Sequence, residues 1–92
     1  MPHVKVITFA RLRQIIGKKQ FIMNAESVED LLEKLFKEHG KELKNELFDD
    51  NGRLKHIYRI VVNGRSITLL DGFKTKLRDN DMVALMPAIA GG

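Results

Sequence analysis

The stretch "LRDNDMVALMPAIAGG", residues 77–92, decides how the rest of the chain is read. Asp79-Asn80 is a turn signal, and "MVALM" (82–86) follows it without a polar residue. A strand solvated on one face alternates apolar and polar side chains. Here Val83 and Leu85 alternate with Met82, Ala84 and Met86, so both sides are apolar. Such a strand sets one face on the core and offers the other to a partner as a hydrophobic patch. Pro87 is expected to end it, because proline cannot continue a central ladder. A neutral tail then carries Ile89 and finishes in Gly91 and Gly92. The expected division is therefore a domain over 1–86 and a flexible tail over 87–92.

Working back toward the N-terminus, "HVKVITFA" (3–10) reads as a strand, with Val4 and Val6 on one face and Ile7 and Phe9 on the other. Gly17 marks a turn, and "KKQFIM" (18–23) completes a hairpin with a loop of several residues. Ser27 is placed to cap a helix, with Asp30 three residues later as a short variant of the capping box. Val28, Leu31, Leu32, Leu35 and Phe36 then form one apolar stripe at helical spacing, and Gly40 stops the helix. "KELKNELF" (41–48) is expected to add a short helical turn, "DDNG" (49–52) a turn, and "KHIYRIVVNG" (55–64) a strand entering an Asn-Gly hairpin. A winding connection fills 66–81. The order predicts an α+β fold, a four- to five-stranded mixed sheet with one main helix at about 28–39 on one face. Nothing in this order covers the second face, unless the 65–80 connection lies over Ile7 and Phe9.

Ninety-two residues, 43% apolar and 30% charged, make one small globular domain. No apolar run approaches the roughly 20 residues of a membrane span, and no signal peptide precedes residue 3, so a cytoplasmic address without membrane contact is expected. With no cysteine the chain has no thiol nucleophile and no cysteine-type zinc site. The net charge of +4 permits acidic partners, but the cations are scattered and no basic-aromatic interleaving marks an RNA surface, so no nucleic-acid partner is expected. His3, His39 and His56 stand apart from one another. "DDNG" lacks the alternate ligands of a calcium loop, and no serine sits in a nucleophile motif. No catalytic constellation is visible, and no bound cofactor or metal is expected.

What remains is the end of the chain. A carboxylate becomes transferable once an enzyme activates it, typically as an acyl-adenylate made with ATP. Two glycines pass a narrow channel, take any backbone angle and leave the acyl carbon unhindered. Ile89 can anchor such a tail in an apolar groove while its backbone pairs with a partner's strand edge. The terminal pair therefore points to the Gly92 carboxylate as the working group.

"HVKVITFARLRQIIGKKQF", the capped helix "SVEDLLEKLFKEHG" and "LRDNDMVALMPAIAGG" in this order resemble the ubiquitin-like sulfur carriers, in particular the molybdopterin synthase small subunit and its archaeal-type modifier relatives. The resemblance covers essentially the whole chain. It implies a β-grasp fold with the first and last strands parallel at the sheet centre. It also implies a non-catalytic carrier: a ubiquitin-activating-type enzyme uses ATP to adenylate Gly92, a sulfur donor makes the thiocarboxylate, and the synthase large subunit receives the sulfur for molybdopterin. By position it implies a partner-binding patch of Phe9, Met86 and Pro87, with Ile89 on the tail. The chain departs from the pattern where Pro87-Ala88 replaces two prolines and Met86 an aromatic, and its segment 41–56 is long and charged. Two alternatives stand beside this reading: a protein modifier joined through Gly92 to lysines, and a β-grasp RNA-binding or adaptor module.

Overall fold

A computed structural model describes residues 2–88. Its sheet has five strands in the order β2-β1-β5-β3-β4, namely β1 (His3–Thr8), β2 (Gln20–Asn24), β3 (Tyr58–Val62), β4 (Arg65–Ser66) and β5 (Met82–Pro87). β1 and β5 run parallel at the centre, from Lys5↔Met82 to Thr8↔Leu85. β2 pairs β1 and β3 pairs β5, both antiparallel. This is the ubiquitin-like β-grasp arrangement, with one main helix, α2 (Val28–Leu47), laid across one face.

Alternation sorts the strand residues. Val4, Val6, Ile60, Val83 and Leu85 point to the helix side and are fully buried, as are Val28, Leu31, Leu43 and Leu47 of α2. The N-terminus of α2 forms as expected at Ser27, whose Oγ accepts from Asp30 N–H at 3.1 Å. The return half of the box differs: the Asp30 carboxylate takes the amide of Glu26, the residue before the cap, at 3.0 Å. That backbone hydrogen bond, helped by Lys34, holds the Asp30 carboxyl below its ordinary 3.8.

Gly40 ends the first helical run of α2, as the sequence predicts, and a second run, 41–47, follows across a kink. The Gly40 φ of 73° and ψ of −159° lie where side-chain-bearing residues are strained, and the chain resumes helical geometry so that Leu43 and Leu47 return to the core.

Residues 10–17, read from sequence as a hairpin loop, form a second helix, α1 (Ala10–Ile16), with Leu12 and Ile16 buried. It has no side-chain cap at Phe9, and seven residues are too few to show a helical period. Its start is held instead by Arg13, whose guanidinium donates twice to Thr8 O (3.0 and 2.7 Å) and lies over the Phe9 ring. Gly17, at φ 84°, ends it.

The 66–81 connection packs on the helix side through Ile67, Leu70, Phe73 and Leu77, so it does not cover Ile7. At its end the "DND" turn joins several elements. Asp79 Oδ1 accepts His3 N–H (2.9 Å), and Asn80 N–H donates to His3 O (2.8 Å). Asp81 accepts from Arg78 N–H (2.8 Å) and the Asn63 amide (2.9 Å). Lys5 N–H donates to Asp81 O at 2.8 Å. The motif thereby fixes where β5 enters the sheet between β1 and the β3–β4 turn.

Candidate functional site

The open face of the sheet follows from the pairing. Lys5 and Ile7 of β1 stand beside Ile22 and Gln20 of β2 on one side and Met82 and Ala84 of β5 on the other. Val61 and Arg59 of β3 continue the rows beside Ala84 and Met86. Ile22 is 71% exposed and Met82 42%. The face is thus apolar along its middle and carries Lys5 and Arg59, with no acidic residue among these strand positions. It suits a partner surface that is apolar with acidic groups around it.

Two of the expected patch residues, Phe9 and Met86, collect at one end of this face. One step beyond the Thr8↔Leu85 pair come Phe9 and Met86, and Phe9 keeps extended geometry (φ −138°, ψ 156°). Both are partly exposed, as is Pro87, which by alternation turns to the helix side opposite Tyr58. β5 does not stop before Pro87, as the sequence suggested: Pro87 pairs with Tyr58, and Ala88 N–H donates to Ile57 O at 2.8 Å. The hydrogen-bonded pairs between β3 and β5 alternate through Ala88 and Met86. The nitrogen of Pro87 therefore faces the other side, where β1 has already turned into α1, and the missing N–H removes no ladder bond.

Sequence reasoning missed Ile57. It is 58% exposed beside Ala88, and by alternation it shares the open face with Arg59 and Val61. The signal was present in "IYRIVV" (57–62), where Ile57 and Val61 flank Arg59 on the side away from Tyr58, Ile60 and Val62. Ile89, Gly91 and Gly92 lie outside the described residues.

Behind the patch, Tyr58 points into the core side, and its hydroxyl donates to the Glu46 carboxylate. Glu46 is also 3.9 Å from Arg11, which reaches Glu42 at 3.7 Å. Burial, then the Glu46 carboxylate, pushes the Tyr58 phenol up to about 12. This network ties α1, α2 and β3 together where the chain leaves the sheet. Among the described residues no three histidines or carboxylates gather as a metal site, and no helix is long and apolar enough to cross a membrane. The carboxylates of "DDNG" serve a turn: Asp49 Oδ1 accepts from Asn51 N–H (2.8 Å) and Arg53 N–H (3.0 Å).

The ThiS family model matches residues 6–92, from β1 through the terminal glycines. The chain belongs to the ThiS family. Two relatives are each 34% identical. One is small archaeal modifier protein 3 of Haloferax volcanii, over 91% of this chain and 92% of that one. The other is the "Putative sulfur carrier protein" of Archaeoglobus fulgidus, over 89% and 94%. Among solved structures, small archaeal modifier protein 1 of Methanosarcina acetivorans superposes with a TM-score of 0.80 at 33% identity, covering 100% of this chain and 98% of that one. The "Putative molybdopterin converting factor, subunit 1" of Pyrococcus furiosus gives 0.73 at 29%, covering 97% and 100%. This ThiS-family chain is thus a ubiquitin-like protein of the sulfur-carrier and small-modifier group.

Proposed function

We propose that the chain is a sulfur carrier working through its terminal carboxylate. Gly92 attacks the α-phosphorus of ATP in an adenylating enzyme of the ubiquitin-activating type, and pyrophosphate leaves. A sulfide-level sulfur nucleophile then displaces AMP, so that the carbonyl C–O bond breaks and a C–S bond forms. The resulting thiocarboxylate sulfur attacks a pterin precursor on a molybdopterin synthase large subunit, and water then cleaves the acyl C–S bond, leaving the sulfur on the pterin and restoring the Gly92 carboxylate. The protein itself supplies no catalytic group; it presents the acyl end. The observation that carries this reading is the apolar open face ending in Phe9 and Met86, next to Pro87 where β5 hands over to the tail. Both enzymes would dock on that face, with Ile89 seated beyond it and Gly91-Gly92 threaded into the reacting site. A carrier must be held firmly enough to align one carbonyl carbon and then released, which suits a patch of modest area with a methionine in it. The pterin acceptor is supported by the family resemblance and the Pyrococcus neighbour.

A second reading is favoured by the modifier names among its relatives: the same acyl-adenylate transferred to a lysine amine, giving an isopeptide bond. Adding one residue after Gly92 tests both. The extended chain should fold normally and lose all transfer, and an extended chain that still supported sulfur transfer or conjugation would refute the assignment of the carboxylate. A ladder of larger species that disappears without Gly91-Gly92 separates the modifier from the carrier.

A further inference from the structure

The outer side of β2 has no neighbouring strand in the sheet. Which backbone groups face outward there follows from the ladder. Thr8 N–H donates to Lys19 O at 2.9 Å and Ala25 N–H to Pro2 O at 3.1 Å. By antiparallel alternation, Phe21 and Met23 also turn their amides and carbonyls toward β1. Gln20, Ile22 and Asn24 turn theirs away from the sheet. Asn24 O accepts Lys34 Nζ at 3.0 Å and keeps a second lone pair. Exposed edges are usually blunted by charge, proline or a bulge, yet Gln20–Asn24 contains neither charge nor proline, and its central Ile22 is 71% exposed.

We propose that this edge pairs with the same edge of a second copy of the chain, antiparallel, with the two Ile22 residues at the two-fold axis. The sequence is self-complementary about that position. Gln20 falls opposite Asn24 of the second copy on the open face, and Phe21 opposite Met23 on the helix side. Beyond the strand, where Glu26 N–H and O are already bonded to the Asp30 carboxylate and the Leu77 amide, the side chain of Lys18 comes to the end that carries Glu26 of the second copy, and the symmetry repeats this opposite-charge match at the other end. Because Ile22 is one of the outward-facing residues, the two copies exchange hydrogen bonds at the axis and again at Gln20 and Asn24. A slip of one residue brings outward groups against inward ones. A slip of two separates the isoleucines and loses the Lys18–Glu26 match.

The pairing closes at two copies. The opposite edge of the sheet, β4, has only two residues and runs at once into a 3-10 turn at Ile67–Leu69, so it offers no second long edge for a filament. With the axis normal to the sheet, both open faces lie on one side and the two β5 ends leave in opposite directions. Each copy keeps its Phe9–Met86–Pro87 end free.

Sedimentation equilibrium of the full-length chain from micromolar to millimolar concentration tests this. The expected mass rises from one chain to two and no further. Ile22→Lys, which sets like charges against each other at the axis, should hold the mass at one chain. Lys18→Glu should weaken association about tenfold, since two opposite-charge pairs become two repulsions, and adding Glu26→Lys should restore it. Should Ile22→Lys fail to fold, the charge reversal and its rescue decide alone. A single-chain mass at every concentration would overturn the proposal. So would association that survives Ile22→Lys, masses above two chains, or a double reversal that fails to restore pairing.

Discussion

Replacing Tyr58 by Phe should destabilise the protein at neutral pH and protect it in strong alkali, with the two stability curves crossing between. Tyr58 is 7% exposed and donates to Glu46. A hydrogen bond to a charged acceptor contributes about 1.5–3 kcal/mol. The Glu46 side chain is 26% exposed and keeps Arg11 at 3.9 Å, so water and Arg11 replace part of the loss, leaving a cost of about 1–2 kcal/mol. The alkaline effect has the opposite sign. The phenol ionises at about 12 in the folded protein against 10.0 in the unfolded chain. Below 10 both states hold the proton. Between 10 and 12 only the folded state does, so stability falls as pH rises. Two pKa units amount to about 2.7 kcal/mol, which the Phe variant has no phenol to lose. Urea unfolding of both proteins from neutral pH to pH 12 measures the difference. Tyr58 is the only tyrosine and there is no tryptophan, so tyrosinate absorbance follows this one group directly. A phenol titrating at 10.0, or curves that stay parallel throughout, would refute the reasoning.

Gly40→Ala should cost about 1–3 kcal/mol through backbone strain alone, because a Cβ there meets nothing within 4 Å; thermal unfolding reads it, and an unchanged midpoint would mean that the kink relaxes. Met86→Asp should leave stability nearly unchanged and weaken binding to an adenylating enzyme by at least about thirtyfold, the scale of a hot-spot residue; titration calorimetry measures it, and intact affinity would move the docking surface elsewhere. Asp30→Asn should lower stability at neutral pH and flatten the acid limb. The folded carboxyl lies below 3.8, so its contribution is present above that pH and disappears as pH falls through the folded value. Equal acid limbs in urea titrations would contradict this.

Much of the arrangement was legible because alternation and spacing report burial directly. The stripe from Val28 to Leu35 marked the helix. The doubly apolar "MVALM" marked a strand with an apolar outer face, and the parallel β1–β5 pair implied by the resemblance places Phe9 beside Met86. Gly40 carried the ordinary sign of a helix end, and the helix breaks there before a second run returns Leu43 and Leu47 to the core. Two features were hidden for physical reasons. α1 is held by Arg13 folding back onto the Thr8 carbonyl, a tertiary contact that leaves no periodic trace in seven residues. Pro87 stays in the ladder because β1 departs one residue earlier, which depends on the neighbouring strand rather than on proline itself. The exposed Ile57 and Ile22 belong to strands whose outer faces become visible only when all five are laid side by side.

The central claim concerns a single atom group, the carboxyl of Gly92, and the absence of cysteine makes it directly measurable. The protein is incubated with its adenylating enzyme, ATP and a sulfur source, treated with a thiol-alkylating reagent and weighed intact, with a chain lacking Gly91-Gly92 alongside. One alkyl adduct is expected on the full-length chain and none on the shortened one. Formation of the acyl-adenylate without any adduct would contradict the carrier assignment, and equal alkylation of both chains would place the sulfur somewhere other than the terminus.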